Sequence, residues 1–155
     1  MIYKRGKVRE VDGKTGRARV EFEDRDKLSS FWLHVNQPLA SGKASRVYVM
    51  PEQDSFVNCV VDEGTEDGTI IGATYNDEDK VPSQDPSHIV FDLGGGLKLD
   101  YDKGAGKLTL AVPNGITLSV GGTVLDLKPG EVKLDSAKFT ANAPTEFPKG
   151  HYPPD

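Results

Sequence analysis

At 155 residues the chain has room for one ordinary domain or two small ones, and its 36% hydrophobic content with 17 Gly and 10 Pro excludes a disordered chain. A single cysteine excludes an intramolecular disulfide and a Cys-rich zinc site, and no apolar run approaches the roughly 18 residues that span a bilayer. The net charge of −5 is uneven: nine Lys/Arg stand against six Asp/Glu over residues 1–27, then ten Asp/Glu against one Lys over 52–86, an acidic middle that repels phosphate backbones and argues against general nucleic-acid binding.

The start, Met1 to Lys7, carries charge with no apolar segment behind it, unlike a secretory signal. Its basic residues read as the solvated face of a strand pair. Residues 6–11 form a first predicted strand, and Asp12 to Gly16 a turn rich in residues that tolerate positive φ. Residues 17–23 then alternate strictly, with Ala18, Val20 and Phe22 on one face, so the two runs predict a hairpin. Residues 31–35 read as a third strand. Residues 46–50 read as a strand or a loop rim, 56–61 as a fourth clear strand and 69–75 as a fifth. Cys59 lies among Val57, Val60 and Val61 and reads as a buried structural thiol, which suits synthesis in a reducing cytoplasm. Five strands, the first pair a hairpin, predict a small Greek-key barrel of the OB type over residues 1–76. Its predicted core is Val8, Val20, Phe22, Trp32, Val57, Cys59 and Ile71.

Residues 77–88 are polar, acidic and proline-bearing, and read as a linker. Beyond them the pattern changes to a train of short strands separated by Gly94-Gly95-Gly96, Asp102 to Gly106, Pro113-Asn114-Gly115, Gly121-Gly122 and Lys128-Pro129-Gly130. Each strand offers two or three apolar side chains on one face, too few for a lone hairpin in water, and no helical segment is available as a cover. The reading is therefore intermolecular. Over 89–140, three copies wind round one axis and share a core of Ile89, Phe91, Leu97, Leu99, Leu108, Leu110, Ile116, Leu118, Val124 and Leu127. Lys98, Asp100, Lys107, Thr109, Thr117 and Ser119 then face water. An ordinary monomeric second domain, a short meander sandwich packed on the barrel, is the competing reading. Residues 141–155 read as a tip or tail.

The run from Thr69 to Asp77 ends in Gly72-Ala73-Thr74-Tyr75-Asn76. A Pro-containing linker follows, and then Ile89 to Asp102, with Asp92-Leu93-Gly94-Gly95-Gly96-Leu97 inside it. In this order the chain resembles the baseplate assembly protein V family, the central spikes of contractile-tailed phages and phage-derived bacteriocins. These are relatives of the valine-glycine-repeat spike proteins of type VI secretion. The resemblance covers about residues 5 to 127 and lies in strand order and short motifs. It implies an all-β homotrimer, with an N-terminal OB-type barrel followed by an intertwined triple-stranded β-helix. Its partners would be a baseplate hub protein at the head, a tip-capping protein, and the target outer membrane during piercing. Its place would be a virion tail baseplate or phage-like particle. Many members end in a His-x-His apex that binds iron. This chain has only His34, His88 and His151 and lacks that pair, so His151 near a three-fold axis is the one candidate ligand and no cofactor is expected.

Catalytic patterns are missing from the sequence. No Gly-x-Ser-x-Gly, His-Glu-x-x-His or Cys-His set occurs, and Gly94-Gly95-Gly96 reads as a bend between strands rather than a phosphate loop. Asp77-Glu78-Asp79 lacks an EF-hand pattern. The expected function is a non-enzymatic, membrane-puncturing spike. The alternative is a monomeric OB-type module for carbohydrate or single-stranded nucleic acid, which requires aromatic platforms and a basic groove.

Overall fold

The computed structural model describes residues 1–23, 28–42 and 44–140. Among them there is no helix, and the chain divides into two compact units between Val81 and Pro82.

The first unit is a closed five-stranded barrel, compatible with the OB type. Its strands are β1 (Ile2–Asp12), β2 (Arg17–Glu21), β3 (Leu33–Val35), β4 (Phe56–Val61) and β5 (Gly68–Gly72), in the order β1-β2-β3-β5-β4. β1 pairs antiparallel with both β2 and β4, and only β3 and β5 run parallel. Closure leaves no free sheet edge. A register shift between Val8 and Glu10 bends β1 so that one long strand serves two neighbours. Asp12 builds the β1–β2 turn. Its carboxylate accepts the Lys14 amide at 2.9 Å and the Thr15 hydroxyl at 2.6 Å, and these bonds lower its pKa.

The core is Val8, Ala18, Val20, Phe22, Leu33, Val57, Cys59, Val61 and Ile70. Burial pushes the Cys59 thiol up to about 12, which makes it unreactive. Gly6 passes so close to β2 that a Cβ there would lie 2.5 Å from Val20 Cγ1 and 2.6 Å from the Glu21 carbonyl oxygen. Gly6→Ala is therefore expected to destabilise the barrel by about 1–3 kcal/mol, seen as a lower denaturant midpoint.

Two predicted core positions are corrected. Trp32 is 39% exposed, with the Arg19 guanidinium 6.0 Å from its ring centre, and Leu33 is buried in its stead. Ile71 is 47% exposed and Ile70 is buried, because Ile70 pairs across from inward-facing Cys59. Alternation admits only one of two adjacent residues to the interior. Of the two readings for residues 46–50, the loop rim is the one found: among the described residues the segment makes an isolated Ala40–Arg46 bridge and no barrel strand.

The second unit holds two three-stranded antiparallel meanders. One comprises β6 (His88–Asp92), β7 (Lys98–Asp102) and β8 (Lys107–Ala111), the other β9 (Ile116–Val120), β10 (Thr123–Lys128) and β11 (Glu131–Asp135). β6 and β7 are joined through Gly94, Gly95 and Gly96, all at positive φ (74°, 58° and 84°), a sequence of conformations that only glycine adopts without strain.

Candidate functional site

Register places the apolar side chains of each meander together. In the first, Ile89 faces Tyr101 and Tyr101 faces Leu108, while Phe91 faces Leu99 and Leu99 faces Leu110. Directly opposed residues in an antiparallel pair share a face, so these six side chains form one apolar surface. Leu97 continues the same parity at the mouth of the glycine turn, where its carbonyl accepts the Leu93 amide. The reverse face carries Val90, Asp92, Lys98, Asp100, Lys107 and Thr109.

The second meander repeats the arrangement. Ile116, Leu127 and Val132 form one row, and Leu118, Leu125 and Leu134 the next, with Val120 beyond them. Val124, predicted in the shared core, lies instead on the opposite face between Ser119 and Asp135. It differs by an odd number of residues from Leu127, so the two cannot point the same way in one strand. Leu125 takes its place, and Tyr101, Val120, Val132 and Leu134 join the faces without having been among the predicted core. Val132 and Leu134 complete the surface from β11.

Within the second unit no described residue packs over these faces to the point of burial. No described residue beyond Val81 is buried, and Phe91, Leu108 and Leu118 are more than half exposed. Folded proteins rarely leave contiguous apolar surface of this kind open to water, which makes these faces the candidate site.

One polar cluster sits on the reverse face at the start of the first meander. His88 Nδ1 lies 2.7 Å from Asp100 Oδ1, and Asp85, Asp102 and Lys103 are close by. The hydrogen bond to Asp100 raises the His88 pKa above 6.5, with smaller contributions from Asp100, Asp102 and Asp85 charges. Its stabilisation is therefore complete below the unfolded value and fades as pH rises through the raised folded value. Backbone amides lower the pKa of Asp102 and of Asp85, and their contribution fades as pH falls through those values. The β6–β7 pairing is expected to be tightest between these limits. The protection of β6 amides relative to their intrinsic exchange should fall on the alkaline side, and His88→Ala should remove that fall.

On the barrel, a cleft of about 630 Å³ is lined by Arg5, Lys7, Arg9, Phe56, Glu23 and the 76–78 turn, with Gly6 and Glu21. Arg5 and Lys7 both stack on Phe56, at 4.7 and 5.4 Å from its centre. Arg9 is held by Glu21 at 2.8 Å and Asp54 at 2.6 Å. His34 is exposed on β3, 3.3 Å from the Arg17 guanidinium, and His151 lies outside the described residues. Among the described residues no three His, Cys, Asp or Glu side chains are grouped as a metal would require, and no helix is long and apolar enough to cross a membrane.

No family model matches the chain, and no curated protein matches its sequence.

Proposed function

We propose that the protein is the central spike of a contractile-tail baseplate, a mechanical, non-enzymatic homotrimer resembling baseplate assembly protein V. In this reading the barrel is an OB-type head that docks on a hub protein. The strands from His88 to Asp135 of three copies form an intertwined triple-stranded β-helix that is driven through an outer membrane. The observation that carries the reading is the pair of uncovered apolar faces. Each presents a row of large side chains on one side of a ribbon too narrow to bury them, and two further copies supply the missing walls. Hydrogen bonds distributed over three chains also let a thin shaft bear load without opening.

Comparing heated with unheated protein on a detergent gel tests this. The unheated sample is expected to run as a detergent-resistant trimer and the heated one as a single chain. Migration as a single chain without heating, in protein shown to be folded beforehand, would count against interwoven strands.

The cleft on the barrel favours a second reading, a monomeric OB-type binding module, because Arg5, Lys7 and Phe56 combine cationic and aromatic groups. Glu23, Asp77 and Glu78 share the same walls and oppose a phosphate backbone. That reading also leaves both apolar faces without a purpose.

A further inference from the structure

The loop between β3 and β4 is a built element. The Gln37 side-chain amide bonds both the amide and the carbonyl of Val49, each at 2.9 Å. The Val47 amide donates to Leu39 at 2.9 Å, Ser41 to Ser45 at 3.1 Å, and Ala40 bridges Arg46. Together these make a two-stranded ribbon in which residues 37, 39, 47 and 49 share a face. The Tyr48 hydroxyl pins it to the Gly13 carbonyl in the β1–β2 turn at 2.9 Å. Its face is uncovered: Leu39 is 50% exposed and Val49 58%. A two-stranded ribbon is marginal by itself, so its apolar face calls for a partner. Lys43 and Arg46 are the only charged residues from Asn36 to Pro51, in a chain of net charge −5.

A surface of the opposite character lies at the other end of the barrel. β4 runs antiparallel to β1 with Val61 opposite Ile2, so the β4–β5 turn sits at the start of β1, away from Asp12 and the ribbon. That turn exposes Glu63 and Glu66. The Phe31 amide donates to the Thr65 carbonyl at 3.2 Å, which places the β2–β3 segment beside it. This segment contributes Leu28 and Phe31, 67% and 62% exposed. One end of the barrel is thus apolar and cationic, the other apolar and acidic.

We infer that the Leu39–Val47–Val49 face with Arg46 docks on the Leu28–Phe31 surface with Glu63 and Glu66 of a second copy of this chain. The two surfaces lie at opposite ends of one barrel, so the contact is head-to-tail, and the three-fold symmetry of the proposed homotrimer is what closes it into a ring. The inference rests on the proposed homotrimer and adds to it a contact between the barrels that is independent of the strands beyond His88.

The test is zero-length carbodiimide cross-linking of the full chain carrying Arg46→Lys, a change at an exposed position. Isotopically heavy and light chains are refolded as an equal mixture, so that links between copies are recognised by mixed labels. Sedimentation is measured on the same sample. The expected result is a trimer in which residue 46 is joined to Glu63 or Glu66 through mixed-label peptides. A trimer without such links, or with same-label links alone, overturns the head-to-tail contact and leaves the spike reading standing. A monomer without mixed links overturns both.

Discussion

Leu110→Asp is expected to abolish assembly, and Leu118→Asp to do the same. In an isolated chain both leucines are about half exposed, at 46% and 55%, and a polar substitution at such a surface position changes stability by only about 0.5 kcal/mol either way. In a shared core the outcome is different. Three carboxylates, one per copy, enter a water-poor interior at the same level, and desolvation costs several kcal/mol for each ion. Like charges add mutual repulsion, and Leu99 or Leu125, the cross-strand partners, lose their apolar neighbour. Sedimentation of the variants reads the difference directly. Loss of the assembled species supports a buried face, whereas normal assembly by either variant shows that its face is solvated and removes the basis of the spike reading.

Phe22→Ala carries the second large effect, confined to the barrel. Phe22 is 1% exposed, the largest of the fully buried side chains, and belongs to one core cluster with Val8, Val20, Leu33 and Cys59. Truncating a buried phenylalanine costs about 3–5 kcal/mol, against a total stability of about 5–15 kcal/mol for a domain. The barrel amides of β1, β2 and β4 should therefore exchange many-fold faster, or the barrel should unfold outright at moderate temperature. Assembly through β6 to β11 should persist, because every residue of the buried core cluster that holds Phe22 belongs to the first unit. If the variant lost barrel protection and assembly together, the two units would be one cooperative structure.

Much of this arrangement is legible in the residues themselves. The β1–β2 hairpin follows from strict alternation through Ala18, Val20 and Phe22 and from the turn chemistry of Asp12 to Gly16. The six strands beyond residue 88 follow from apolar alternation punctuated by Gly and Pro. Legibility fails wherever two apolar residues are neighbours. Trp32-Leu33, Ile70-Ile71 and Val124-Leu125 each leave the parity open, and only the register with a partner strand decides which one points inward. The sequence also leaves Val47-Tyr48-Val49 open between strand and loop rim. That run has strand composition, yet it pairs locally with Gln37 to Ala40 and never joins the barrel. The parallel pairing of β3 with β5 is a non-local contact between His34 and Thr69, and no local pattern announces it. The apolar faces of the candidate site follow largely from the alternation, with Leu125 in place of Val124 and with Tyr101, Val120, Val132 and Leu134 added to the predicted core.

Sedimentation equilibrium of the unmodified full chain, with amide exchange measured on the same sample, bears most directly on the claim that the strands beyond Val81 are completed by sister copies. The expected mass is three times the 16.8 kDa of one chain, with β6 to β11 protected. A single species at 16.8 kDa in which those strands are equally protected would contradict it.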